Sequence, residues 1–352
     1  MGHEASVLTF SSSIDKENVK SIYHVKNVPK IISLKQFESS DYWSPRGSSL
    51  KDLTIWLVRG SRIIMEEEPD LVIINGIVPL LKLSKTRYIA VAHQVCPHIA
   101  SGLGLLGLAG LRILYKIVPD VTVAITSREK KCLEEYTGIK PVVIPLCINT
   151  RRFRVARLEE REKMILHVGV YGPKNLEFTL KVFNSLCSRD DVKLCIVGGY
   201  DENHLKMLRS IVKDDCRNRV IFMGRISKEK LIELYSKSRV LLAPSLYEGF
   251  PYVSLEAQAS GTPVVASRAI PPEAVLDNIT GYRIDLKDFQ TFKDKVHALL
   301  TDDILWEEMS KRARKHAESF DSIVIAKQYL DIFEESKRRD NARILPSWRT
   351  HS

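Results

Sequence analysis

From residue 164 onward the apolar positions fall into short runs. Each run ends at a glycine or another small residue, and a segment with apolar positions three and four apart follows it. Short β-branched runs read as buried strands, and the 3.6-residue spacing reads as helices. The pattern predicts strands over 164–168, 192–197, 220–223, 240–243, 263–266 and 281–284. Helices are predicted over 176–187, 202–212, 228–236, 252–260 and 289–300. This alternation implies a parallel sheet with helices on both faces. Ligands on such sheets bind beyond the carboxyl ends of the strands. Gly169, Gly198, Gly224, Ser245 and Ala266 each follow a predicted strand, so they are expected to ring one crevice.

The first half alternates as well. Strands are predicted over 5–10, 71–74, 88–92, 121–125 and 142–144, with helices over 53–67 and 127–136. Ser127 opens the second of these helices and reads first as its N-cap. The expected organisation is a first domain over 1–150, a charged linker over 151–163 and a second domain over 164–321. A C-terminal helix and loose tail complete it over 322–352.

A chain of 352 residues is long enough for two such domains. With 44% hydrophobic and 27% charged residues it has an ordinary globular composition. Its net charge is +10, and residues 1–163 carry 24 Lys and Arg against 17 Asp and Glu, so +7 of it lies there. The basic residues are scattered and lack interleaved aromatics, which argues against nucleic acid as a partner. The excess fits either simple solubility or contact with an anionic membrane surface or phosphorylated acceptor. No apolar run reaches the length of a membrane span. The nearest, over 103–117, is interrupted by Arg112 and Lys116. The six cysteines form no CxxC pair and no zinc spacing, and read as buried thiols in a reducing compartment. Localisation is therefore expected to be cytoplasmic, with room for peripheral contact at the inner membrane face.

The segment 241–267, LLAPSLYEGFPYVSLEAQASGTPVVAS, carries the candidate chemistry. A strand ends at Pro244-Ser245, a loop turns through Tyr247-Glu248-Gly249-Phe250-Pro251, and a helix begins at about Tyr252. Pro251 suits the first turn, where no backbone donor is needed. A helix start offers free N–H groups and the positive end of the dipole, which suits a phosphate or polyhydroxylated ligand. Glu248 on the loop and Glu256 about one turn into the helix lie eight positions apart. Carboxylates accept hydrogen bonds from sugar and ribose hydroxyls, and both are expected to face one pocket.

At these residues the chain resembles the retaining glycosyltransferases of the GT-B fold, family 4 (group 1) in particular. The resemblance rests on Glu248 and Glu256 with seven residues between them, followed by Gly261, Pro263, Val264 and Val265. The segment Ile144-Pro145-Leu146-Cys147-Ile148-Asn149, then Arg152-Phe153, resembles the family's interdomain signature, with Leu146-Cys147 in place of Asn-Gly. The resemblance implies an α/β fold of two Rossmann-like doubly wound domains. It also implies transfer of a sugar from a nucleotide-diphosphate-sugar donor to a glycan or lipid-linked acceptor, with retention of configuration. It assigns Glu256 to the ribose, Glu248 to the donor sugar and Lys174 to the diphosphate. Backbone amides at Gly249, Phe250, Pro251 and Tyr252 are assigned to sugar hydroxyls or phosphate. Gly224 with Arg225 would read the base, Gly169 and Gly198 would lie close to the nucleotide, and His93 would contact the sugar from the acceptor side. His98 is the weaker alternative. Val170 stands where the family usually has an arginine, a charge that Arg225 is placed to supply. Glu273 matches a recurrent family glutamate, with helix-start charge compensation as the plainer reading. There is no DxD motif, so no metal cofactor is expected and basic side chains with a helix dipole would stabilise the leaving group.

The resemblance aligns strand 5–10, entered directly from Met1-Gly2-His3-Glu4, with the family's second strand. It thus implies a first domain lacking its first strand and helix here, and a true start upstream. Two other readings remain open: a nucleotide-sugar epimerase on the same fold, and a non-catalytic binding relative.

Overall fold

The computed structural model describes residues 6–9, 30–33, 56–75, 82, 86–92, 109, 112–113, 115–187 and 191–344. In the first domain, β1 (Ser6–Thr9) and β2 (Lys30–Ser33) pair in parallel with each other. A second parallel sheet runs β3 (Leu71–Asn75), β4 (Arg87–Ala92), β5 (Val121–Ala124) and β6 (Val142–Val143), in that order. Helix α1 (Ser61–Glu67) precedes β3, and α2 (Ser127–Thr137) follows β5. The cap of α2 is Thr126 rather than Ser127. Thr126 has the extended backbone that a cap requires, and its side chain accepts from the Glu129 N–H at 3.1 Å, whereas Ser127 is already helical.

The second domain contains β7 (Glu162–Val168), α3 (Leu176–Leu186), β8 (Lys193–Val197), α4 (Glu202–Ile211), β9 (Val220–Gly224), α5 (Lys228–Lys237) and β10 (Ser238–Ala243). It continues through α6 (Tyr252–Ala259), β11 (Val264–Ser267), β12 (Gly281–Ile284), α7 (Phe289–Thr301) and α8 (Asp303–Glu318). Six parallel strands lie in the order β12-β11-β10-β7-β8-β9. Strands covered on both faces are apolar throughout, and their two-residue period feeds two cores at once. Leu166, Cys195, Val197, Leu241 and Val264 point into one core, which α6 helps to close. Ile165, Leu194, Ile196, Val240 and Val265 point into the other, beneath Phe183 of α3 and Phe292 of α7.

Helix α9 (Ser322–Ile344) crosses back to the first domain. Its Ile325 and Phe333 are buried in the same core as Ile89 and Val91 of β4 and Val123 of β5. The two chain crossings lie side by side. The Ile148 N–H donates to the Phe320 carbonyl at 2.9 Å, and the Ser322 N–H returns to the Ile148 carbonyl at 3.0 Å.

Three expectations are corrected. Residues 151–163 are folded structure rather than a linker: β7 already begins at Glu162, and Phe153, Ala156 and Arg161 are buried. The Arg161 guanidinium donates to the carbonyls of Ala156, Tyr235, Ser238 and Ser260 and to the Thr262 hydroxyl. Its charge lies 4.7 Å over the Trp306 ring. A charged residue in sequence reads as solvated, and only these convergent carbonyls make its burial tolerable. Second, the cysteines are not all buried thiols. Cys187 at the end of α3 is bonded to Cys216, Cys132 also lies in a disulfide, and Cys147 is exposed. Cys195 is a buried thiol, and burial pushes its pKa up to about 11. Third, α8 was not anticipated, although Asp302 caps it and Trp306, Met309, Ala313 and Ala317 line its buried face at helical spacing. Among the described residues no helix is long and apolar enough to cross a membrane.

Candidate functional site at the carboxyl ends of the second sheet

The loops after β7 and β10 meet at one end of the sheet. After β7 the chain turns through Gly169, whose φ of +101° L-residues rarely adopt. A Cβ there would stand 2.7 Å from the Lys174 side chain, so this glycine admits the lysine stem. The turn is held to β10 at two points. The Leu246 N–H donates to the Pro173 carbonyl at 2.7 Å, and the Asn175 amide donates to the Pro244 carbonyl at 3.1 Å. These ties bring Lys174 Nζ to 2.7 Å from Glu248 Oε2, with the Ser245 hydroxyl donating to the same oxygen at 3.4 Å. Glu248 and Lys174, 74 residues apart, thus form one half-buried ion pair.

That pair lines a cavity with His167, Ser245, Pro251 and Ser254. His167 is buried at the end of β7, between the Gly169 carbonyl at 2.7 Å and the Thr179 hydroxyl at 2.8 Å. Burial lowers its pKa to about 4, and the Lys174 charge acts in the same direction. It is therefore a neutral imidazole at physiological pH that fixes the Gly169 turn. The N-terminus of α6 opens beside Pro251. Of the four residues expected to offer amides there, Pro251 has none and Tyr252 donates to the Phe250 carbonyl at 3.1 Å. The amides of Gly249 and Phe250 remain. The Phe250 ring is buried, 5.5 Å from Tyr252 and 6.4 Å from Phe320.

Glu256 is placed differently from the expectation. It does not line the Glu248 cavity. Eight positions on, and one turn into α6, its side chain is directed at α5. One oxygen is paired with Lys228 and the other accepts from the Tyr235 hydroxyl at 3.0 Å. Nothing in the linear pattern singles out Lys228 or Tyr235, although they lie seven residues apart and hence on one helical face. His167 was also missed; a polar residue inside an apolar strand, two positions before a glycine, was the available signal.

The ends of β8 and β9 complete the crevice. The Gly198 N–H donates to the Gly224 carbonyl at 3.0 Å. Gly198 has φ +150°, and a Cβ on it would meet the Val170 side chain at 3.0 Å. Arg225 lies over the adjacent Gly199, where a Cβ would stand 2.6 Å from its Nε. Val170 is buried in the core, whereas Arg225 is exposed. Across the crevice, the Ser127 N–H at the start of α2 donates to Glu273 Oε1 at 2.6 Å, and Arg128 donates to the carbonyls of Ala269 and Arg268. Glu273 therefore does meet a helix start, but it is that of the opposite domain, and its own segment is a turn. His93 and His98 lie outside the described residues.

The cavity, with its ion pair and helix start, lies wholly within the second domain, and it is this part of the chain that sequence comparison matches to known proteins. Residues 149–316 match the family Glycosyl transferases group 1. A D-inositol 3-phosphate glycosyltransferase of Corynebacterium diphtheriae is 31% identical over 180 residues, 48% of this chain and 42% of that protein. The chain thus spans about two fifths of the length of this curated relative. Solved structures share the whole two-domain architecture. Sucrose-phosphate synthase of Thermosynechococcus elongatus superposes with TM-score 0.72 over 95% of this chain and 89% of that one, at 18% identity. The Anabaena protein Alr3699/HepE, solved with UDP and glucose, superposes with TM-score 0.68 over 94% and 91%, at 15% identity. The architecture is that of the GT-B glycosyltransferases, and the group 1 match falls on the domain that holds Lys174, Glu248 and Glu256.

Proposed function

We propose that this chain is a glycosyltransferase that moves a sugar from a nucleotide-diphosphate-sugar donor to a glycan or lipid-linked acceptor with retention of configuration. The observation that carries the reading is the Lys174–Glu248 pair at the start of α6, inside the segment that matches the group 1 family. The complex of Alr3699/HepE with UDP and glucose supports a nucleotide-sugar donor.

In this reading the diphosphate takes Lys174 from Glu248. The lysine, the start of α6 and Arg225 then stabilise the negative charge that grows on the departing diphosphate. These groups supply the charge that a metal would otherwise bring, so no metal cofactor is required. Freed of its partner, Glu248 accepts from the sugar hydroxyls near the reacting carbon, and Glu256 accepts from the ribose. The acceptor enters from the first domain, and the resemblance gives His93 the contact with the sugar. Water is excluded as the domains close, which protects the donor from hydrolysis.

The test is a panel of nucleotide-sugars, each with and without acceptor sugars or lipid-linked acceptors, read as released nucleoside diphosphate and glycosylated product. Acceptor-dependent release that Glu248→Gln and Lys174→Ala both suppress is expected, and the product anomer read by NMR checks retention. Turnover of the donor without acceptor would identify an epimerase instead. Donor binding without any turnover would identify a binding relative.

A further inference from the structure

Helix α5 places two side chains against one carboxylate. Lys228 is its first residue and Tyr235 lies two turns later on the same face. They take opposite oxygens of Glu256: Lys228 pairs with Oε1 and the Tyr235 hydroxyl donates to Oε2 at 3.0 Å. Tyr235 cannot drift. It is fully buried, its ring packs 6.4 Å from Phe153, and its carbonyl accepts from Arg161 and Thr262. Lys228 is over a third exposed, so the pair runs from the core to the rim of the crevice. Four residues before Lys228 the chain leaves β9 at Gly224, so α5 also joins the β9 loop to Glu256.

A carboxylate has about four lone-pair positions. With one on each oxygen already taken, the remaining two point in fixed directions. That geometry suits two adjacent hydroxyls of a ligand and not one. Carboxylates free to rotate do not discriminate in this way; a site built to bond a hydroxyl rejects the analogue that lacks it because its own polar group is left unmatched.

We infer that Tyr235 and Lys228 are positioning residues that orient Glu256 to accept from both hydroxyls of a ribose, making the site selective for ribonucleotides over 2′-deoxyribonucleotides. The inference rests on the donor reading above and adds to it the two residues that set this selectivity.

The experiment uses the full chain and calorimetric titration with UDP, CDP, ADP and GDP. Whichever binds is titrated again as its 2′-deoxy counterpart, in the wild type and in Tyr235→Phe, Lys228→Gln and Glu256→Gln. The wild type is expected to prefer the ribonucleotide at least about tenfold. Tyr235→Phe keeps the buried ring and removes only the hydroxyl. It is expected to bring the preference to within about threefold by weakening the ribonucleotide alone, and Glu256→Gln to abolish it. Unchanged affinity for the deoxynucleotide in each variant shows that the fold is intact, an outcome a merely structural role for Tyr235 would not give. If no nucleoside diphosphate binds the wild type, the donor reading falls. If the wild type binds but does not discriminate, or if its preference survives in both Tyr235→Phe and Lys228→Gln, the inference is overturned and the donor reading stands.

Discussion

His167 makes the second domain sensitive to acid in a way that can be sized. Burial holds its pKa at about 4, against an ordinary value of 6.5. The folded protein therefore binds this proton only below about pH 4, whereas the unfolded chain binds it below about 6.5. Between those values the unfolded state holds more protons, so stability rises with pH. The contribution is complete above the unfolded pKa and is lost as the pH falls from about 6.5 to about 4. At 1.36 kcal/mol per pH unit, the loss at pH 4.5 relative to pH 7.5 comes to about 2.5 kcal/mol from this residue alone. The perturbation is His167→Gln, which retains polar atoms beside the Gly169 carbonyl and Thr179 but does not titrate. The assay is urea unfolding of both proteins at pH 7.5 and 4.5, followed by far-UV circular dichroism. The variant should be less stable at pH 7.5, where the imidazole hydrogen bonds are lost, yet the gap should close or reverse at pH 4.5. His316, also shifted downward by burial, acts equally in both proteins and cancels. An identical acid loss in the two proteins, or an NMR titration of the His167 ring near pH 6.5, would refute the reasoning.

Other expectations can be checked together. Lys174→Ala should weaken nucleoside diphosphate binding by about 1.5–3 kcal/mol through loss of a charge-assisted contact, and unchanged affinity by calorimetry would place the lysine outside the site. Arg161→Met should destabilise the fold by about 3 kcal/mol, because four buried carbonyls each lose a charge-assisted hydrogen bond; a midpoint within error of wild type in urea would contradict this. Transfer should persist in excess EDTA, and strict dependence on added manganese would contradict stabilisation by Lys174 and Arg225. Ile113 and Ile117 are exposed beside exposed Arg112 and Lys116, so the chain should co-sediment with anionic vesicles more than with neutral ones. Equal recovery in the supernatant of both would reject the membrane contact.

Some of the site was legible because its signals are local. Gly169 and Gly198 could be read at strand ends, and the string around Glu248 reads as strand, loop and helix start because each residue there obeys short-range backbone chemistry. Lys174 could be named, but its 2.7 Å contact with Glu248 could not. That contact depends on the Pro173–Leu246 and Asn175–Pro244 bonds between loops some 70 residues apart. His167 stands out locally as a polar residue inside an apolar strand, but its bonds to the Gly169 carbonyl and Thr179 do not, because they depend on how the turn and α3 pack.

Periodicity is legible in the linear chain: apolar runs of strand length alternating with helical spacing admit few architectures other than parallel sheets with helices on both faces. The tertiary structure alone decided which charges are buried and with whom. Arg161 lies inside a segment that reads as a solvated linker, because five acceptors from distant elements converge on its guanidinium. Glu273 of one domain meets the start of α2 in the other. Glu256 turns from the cavity of Glu248 to Lys228 and Tyr235, because the rise and rotation of α6 carry it toward α5. Burial of a charge depends on partners brought together by folding, and a linear pattern of polar and apolar residues records no such partners.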